Sequence, residues 1–202
     1  MTGNRNLRAK LLVVFALLFS ALPTSAQRGA ITLPRNLGEL VDQSAVILRG
    51  QVMSARVEPA PELNDHPILV VIVRVREVLK GNTGATFTFR QFIWDYRDRL
   101  DAAGYRKGQD VLLLLNPPTI YGLVSPAGLE QGRFRIVRDA QGREVAANGQ
   151  ANAGLFRDLR EQLQKKGVSL SPRLAALVSA PPAGGVPVAD LQDLIRAIAG
   201  SR

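Results

Sequence analysis

Ile68–Leu79 reads ILVVIVRVREVL, and this run decides the fold. It is dense in β-branched residues, and from Val71 onward Val71, Val73 and Val75 alternate with Ile72, Arg74 and Arg76. A period of two with one apolar face is the pattern of a half-buried strand. Lys80-Gly81-Asn82 closes the strand as a turn, and Thr86–Phe92 (TFTFRQF) follows, with Phe87 and Phe89 on one side and Thr86, Thr88 and Arg90 on the other. The spacing predicts an antiparallel neighbour.

On the N-terminal side, Val46–Val57 (VILRGQVMSARV) alternates imperfectly, and Gly50 marks a bend or bulge. Glu58–Pro67 holds three prolines and reads as a hairpin loop. Ahead of it, Gln27–Pro34 reads as an extended lead-in. Asn36 then caps a short helix over Leu37–Ser44, whose Leu37, Leu40 and Val41 share a face. On the C-terminal side, Val111–Leu115 is a continuous apolar run between Gly108 and Pro117, as expected of a strand buried on both faces. Ile120–Val124 and Arg133–Arg138 complete six strand-like runs, with Asp139–Arg143 as a turn. Six short runs punctuated by glycine and proline predict a mainly β domain, a barrel or sandwich, rather than alternating β and α units.

Helical periodicity returns after the strands. Leu155, Leu159 and Leu163 predict an amphipathic helix over Ala153–Lys166, ended by Gly167. Pro181-Pro182, Gly184-Gly185 and Pro187 make residues 167–187 read as a linker. Val188–Ala199 forms a last helix with Val188, Leu191, Leu194, Ile195 and Ile198 on one face, a face that must bury against the strands or against a partner.

The first 26 residues read as a signal peptide. Arg5, Arg8 and Lys10 precede a 12-residue apolar run, Leu11–Leu22, and Thr24-Ser25-Ala26 supplies small residues for cleavage. The run is shorter than the roughly 20 residues of a membrane span, so the expectation is export to the periplasm or the medium without a stable membrane anchor. Cleavage there leaves 176 of 202 residues, enough for a packed core without staples. The domain plan is then a leader over 1–26, a β domain with flanking helices over 27–166, the linker, and the helix over 188–202. There is no cysteine, which excludes disulfides, thiolate metal sites and cysteine nucleophiles. The formal charge is +9, of which Arg5, Arg8 and Lys10 supply three, leaving +6 on the mature chain. These cations are scattered rather than clustered, and aromatic content is 5%, which together argue against nucleic acid as the partner.

Four phrases recur in order: Arg49-Gly50-Gln51-Val52, Val78-Leu79-Lys80-Gly81, Gly108–Leu115 (GQDVLLLL) and Gly128–Val137 (GLEQGRFRIV). In this order, over about half the chain, they resemble a recurrent class of bacterial exported proteins. The layout is also similar to the OB-class barrel of the netrin-like and tissue-inhibitor-of-metalloproteinase modules. The resemblance implies a small OB-like antiparallel barrel of five to six strands with flanking short helices, in an exported protein. Those inhibitors present an N-terminal cysteine to the protease zinc. This chain has no cysteine, so that activity is not implied. OB barrels host unrelated ligands, so the fold alone supplies no activity.

Candidate chemistry is sparse. His66 is the only histidine, flanked by Asp65 and Pro67; this counts against a Ser-His-Asp hydrolase, as does the lack of a G-x-S-x-G elbow, and it offers one ligand where a metal site needs three or four. Asp95, Asp98 and Asp101 recur every three residues but lack the ligand spacing of a calcium loop, and Arg97 and Arg99 interrupt them. No cofactor or metal is expected. Phe92–Tyr105 (FIWDYRDRLDAAGY) holds the only tryptophan and two of three tyrosines. Trp, Tyr and Arg dominate interface hot spots, so Trp94, Tyr96, Arg97, Arg99 and Tyr105 are the candidate interaction surface. The competing reading has Trp94 plugging one end of the barrel. Arg74, Arg76 and Arg90 on neighbouring strands are a candidate anion patch, unless local acids such as Glu77 pair with them.

Three functions follow. The first is a non-enzymatic module that binds an envelope or secreted protein through Phe92–Tyr105. The second is a secreted hydrolase or its accessory protein with a carboxylate-based site. The third is a barrel that binds an anionic glycan or nucleic acid, which requires the arginines to converge on one groove. An enzyme needs a deep pocket with convergent titratable groups, whereas a binding module needs an exposed aromatic patch.

Overall fold

Two apolar layers share one antiparallel sheet in the computed structural model, which describes residues 32–200. The leader expectation over 1–26 lies outside the described residues. The strands are β1 (Val46–Ala60), β2 (His66–Lys80), β3 (Thr86–Phe92), β4 (Asp110–Leu115), β5 (Arg133–Arg138), β6 (Glu144–Asn148) and β7 (Val186–Pro187). The helices are α1 (Leu37–Gln43), α2 (Tyr96–Asp101), α3 (Leu159–Lys165), α4 (Pro172–Ser179) and α5 (Val188–Ala199). The chain is thus mainly β, as its periodicity predicts. The strand order is β3-β2-β1-β4-β5-β6-β7, and β3 does not pair with β7, so this ladder forms a seven-stranded sheet that is not closed. Among the described residues no helix is long and apolar enough to cross a membrane.

Alternation along each strand sends side chains to two cores. Ile47, Leu112, Leu114, Phe134, Ile136 and Ala146 meet the helices on one face. Leu48, Val52, Val71, Val73, Phe89, Val111, Leu113 and Leu115 pack on the other. β4 serves both layers, and Val111–Leu115 are all 0% exposed, which is why that run is apolar without alternation. A third cluster of Ala60, Ile68, Val70 and Leu123 closes the far end of the β1–β2 hairpin.

Local chemistry sets the element ends. Asn36 and Glu39 form a capping box at α1: the Asn36 side chain accepts from the Glu39 N–H at 3.0 Å, and Glu39 accepts from the Asn36 N–H at 2.8 Å. The β1–β2 register shifts at Arg49/Gly50, where a Cβ on Gly50 would strike the Arg74 carbonyl and the Val73 side chain. The bulge expected at Gly50 is therefore a place where two backbones approach.

Several expectations need correction. Residues 167–187 are not a plain linker: Ser171 caps α4 with Pro172 in its first turn, Leu174 and Val178 are buried, and Val186–Pro187 pairs with β6. Proline at the start of a helix replaces an N–H that has no intrahelical partner, so it permits the helix it seemed to forbid. Ile120–Val124 does not form a strand: Ile120 and Tyr121 make a turn, with Ile120 93% exposed, and only Leu123 bridges to Arg90. Glu144–Asn148, which lacks a strong strand signature, becomes β6 through its register with β5. The helix expected from Ala153 begins at Leu159, because Gly154 and Asp158, inside the expected span, adopt positive φ. The α5 face is docked, with Leu191, Leu194 and Ile195 each 0% exposed against the helical layer.

Because α5 belongs to the main core, Leu191→Ala and Leu114→Ala should each cost about 2–5 kcal/mol. Urea unfolding followed by circular dichroism and by fluorescence of the sole tryptophan should show one shared transition. A separate early transition for Leu191→Ala would mean that α5 is an independent appendage.

Candidate functional site

The segment after β3 divides its side chains between the core and solvent. Ile93 is buried in the second layer, and Trp94, the next residue, turns outward and is 55% exposed. Trp94 is therefore no plug. Its ring meets Phe92 at 4.9 Å and 62°, and Phe92 stacks on His66 at 5.0 Å, which makes a short aromatic row along the surface. Asp95 caps α2 by accepting from the Arg97 N–H at 2.8 Å, and its carboxylate pairs with the Arg97 guanidinium at 2.6 Å. α2 holds Tyr96 and Leu100 outward, each 70% exposed, with Arg97 and Arg99 also exposed.

The end of the segment is anchored. Ala102 and Ala103 adopt positive φ and bring Ala103 and Tyr105 inward, both 4% exposed. Tyr105 thus leaves the candidate surface: it packs edge-on against Phe89 at 6.1 Å, and the Arg133 guanidinium lies 4.5 Å from its ring centre. Arg133 is buried on β5, donates to the Ala103 carbonyl, and pairs with Glu130 at 2.5 Å. One buried cation therefore ties the Ile93–Tyr105 segment to the sheet through a carbonyl, a ring and a carboxylate.

Asp98 is the inward residue of α2. Burial raises its carboxyl above the ordinary aspartate range, and the nearby Asp95 and Glu130 charges add to the effect. Burial pushes the Tyr105 phenol up to about 12, against the opposing influence of Arg133. The three aspartates expected at equal spacing thus differ in role: Asp95 is a cap and Asp98 is buried, while Asp101 lies at the C-terminal end of α2. Among the described residues no group of three or more His, Asp or Glu side chains converges in a way that could hold a metal ion.

Arg74, Arg76 and Arg90 do not converge. The register sets Arg74 opposite Thr86 and Arg90 opposite Val70, four residues or roughly 13 Å apart along the sheet. Arg76 pairs with Asp110 at 3.0 Å and Arg90 pairs with Glu62. Glu77, expected as their partner, pairs instead with Arg196 of α5.

Two features escaped sequence reading. Thr119–Leu123 is a tight turn in which the Thr119 hydroxyl accepts from the Leu123 N–H at 3.1 Å, and it exposes Ile120 and Tyr121. Pro117-Pro118 and Gly122 were the available signal for that turn. The second is a cleft of about 330 Å³ beside Trp94, bordered by Arg35, Gln43 and Asn116. Its parts lie far apart in the chain, so no local pattern announces it. No protein-family model matches this chain, and no characterised protein matches it.

Removing Arg133 should be costly. Arg133→Ala should lose about 3 kcal/mol, toward the lower end for a broken buried ion pair because Glu130 is partly exposed, measured by urea unfolding. Asp98 carries the opposite sign. A carboxyl raised in the folded state opposes folding above its folded pKa, and that opposition fades as pH falls through the unfolded value. Asp98→Asn should therefore raise Tm at pH 7 and give no gain near pH 3.

Proposed function

We propose that the mature chain is an exported, non-enzymatic binding module that docks an envelope or secreted protein through the Trp94–Leu100 surface. One observation carries this reading: Trp94, Tyr96 and Leu100 are each more than half exposed, while Ala103 and Tyr105, in the same segment, are buried against Arg133. Aromatic and arginine side chains held ready on a fixed backbone lose little freedom on binding. Export is supported by the basic start, apolar run and small residues before Gln27.

The proposal includes an OB-like barrel as the scaffold. Single bridges join Arg90 to Leu123 and Leu115 to Pro126, and the Val124 N–H donates to the Arg90 carbonyl at 2.7 Å. In this reading Thr119–Ala127 stands in for a strand between β3 and β4, and the aromatic segment sits at the rim.

The test compares the mature domain with a Trp94→Ala/Tyr96→Ala copy, each used to capture partners from envelope and secreted fractions. Both copies should fold with Tm values within a few degrees, since surface changes usually cost under about 0.5 kcal/mol. The parent should retain a protein that the double variant loses by at least about tenfold. Equal retention by both copies would remove the assignment.

A further inference from the structure

β3 ends the sheet, and its outer side is only partly covered. The Val75 N–H donates to the Ala85 carbonyl at 2.9 Å, and the register runs without a shift from Arg74↔Thr86 to Ile68↔Phe92. Bonded and non-bonded pairs alternate along an antiparallel ladder, so Ala85, Phe87, Phe89 and Gln91 turn their backbone groups to β2. Thr86, Thr88 and Arg90 turn theirs outward. Arg90 is covered there, because its carbonyl accepts from the Val124 N–H at 2.7 Å and Leu123 bridges to it. Toward Thr86 the cover stops. Among the described residues no backbone hydrogen bond reaches Thr86 or Thr88 from the outer side, and both side chains are exposed.

Open edges are normally guarded by proline, by lysine or by a bulge that twists the strand away. The opposite edge of this sheet ends in Pro187, which has no N–H to offer. Thr86–Phe89 carries no proline, no charge and no register shift. Its outward donors and acceptors stand on a strand of β-branched and aromatic residues, and another strand is the group that matches them in spacing.

We infer that this edge pairs with the same edge of a second copy, antiparallel about a two-fold axis at Phe87. The phase of the outward groups selects that register. Thr86 lies opposite the partner's Thr88, and Thr88 opposite the partner's Thr86, so each outward N–H and C=O on these residues gains a bond. Phe87 then meets the partner's Phe87 at the non-bonded site, with Cα atoms about 4.5 Å apart, where side chains come closest. Phe87 is half-buried beside Phe89, ring centres 6.1 Å apart, and aromatic and Thr–Thr pairs both stabilise a ladder across strands. Charge favours a second copy as well, because neutral residues meet neutral ones. Arg74, opposite Thr86, stays three strand spacings or about 14 Å from the partner's Arg74, and Arg90 is paired with Glu62. The bend at Ala85 ends the ladder before it reaches Val124. So short a ladder buries less than the roughly 1,200 Å² of a stable interface, so the dimer is weak and reversible.

Sedimentation velocity of the chain from Gln27 onward, from about 5 µM to about 1 mM, should show a monomer–dimer equilibrium with Kd on the order of 100 µM. Thr86→Lys/Thr88→Lys sets lysine opposite lysine at both bonded pairs and should weaken association at least about tenfold. Thr86→Glu/Thr88→Lys sets opposite charges face to face in this register and should dimerise at least as well as the parent. Both positions are exposed, so both variants should keep the parent Tm within a few degrees. The chain has no cysteine, so Phe87→Cys carries a single thiol, and mild oxidation should link two copies. Val137→Cys, at a site 58% exposed on β5, should not link them. A monomer at every concentration, equal association by the two charge variants, or no preference for Phe87→Cys over Val137→Cys overturns the inference. Trp94→Ala/Tyr96→Ala should leave the dimer unchanged, so the docking reading stands or falls separately.

Discussion

Five consecutive side chains on β4 have no exposed surface, and the rest of the fold is arranged around them. A strand buried on both faces needs an apolar layer on each side. Leu112 and Leu114 call for the helical layer built from α1, α3, α4 and α5, while Val111, Leu113 and Leu115 call for the β1, β2 and β3 residues packed with them on the other face. Each buried leucine or valine contributes about 1.5–3 kcal/mol relative to exposure, so neither layer can be given up. This explains why the last helix is docked rather than trailing: without it, the helical side of β4 and β5 would lack the cover supplied by Leu191, Leu194 and Ile195.

The same sheet sets the course of the Ile93–Tyr105 segment. Phe134 and Ile136 on β5 face the helices, so Arg133 faces the opposite layer, under the chain that leaves β3. A buried guanidinium needs partners for its donors, and here they come from the segment it covers: the Ala103 carbonyl, the Tyr105 ring and Glu130. An apolar residue could fill this space but could not hold a carbonyl in place. The polar anchor therefore fixes where the segment ends, and the Asp95 cap fixes how α2 begins.

Much of this was legible in the chain. β3, β5 and α5 occupy the residues that their periodicity indicates, and the Asn36 cap and the Gly50 bulge were visible because each depends on one residue type in one local setting. Long-range effects were not legible. β6 has alanines at its centre and owes its state to its neighbour, α4 lies hidden among prolines, and Ile120–Val124 has strand-like composition but turns at Ile120–Tyr121 under Thr119 and Gly122, leaving a single bridge at Leu123. Exposure along the candidate segment was legible only in part: Trp94, Tyr96, Arg97 and Arg99 are exposed and Tyr105 is buried. Trp94, Tyr96 and Tyr105 look alike in sequence, and the positive-φ turn at Ala102–Ala103 together with the cation reaching over from β5 separates the inward ring from the outward ones.

The contrast between those rings bears on how an exposed aromatic surface is built on a small β scaffold. An aromatic residue left outside carries a solvation cost that a core position would remove, so its exposure must be enforced by the backbone around it. Ile93 and Trp94 are adjacent, and strand-like alternation lets only one of them enter the second layer. Ile93 enters, and Phe92 supports the indole from the side. On the other flank, Gln131 holds the Thr32–Arg35 wall at a fixed distance from the Gly128 turn, so the indole is neither covered by the lead-in nor left on a flat surface. Trp94 is exposed because the two sides that could bury it are already committed, one to the core and one to the amide of Gln131.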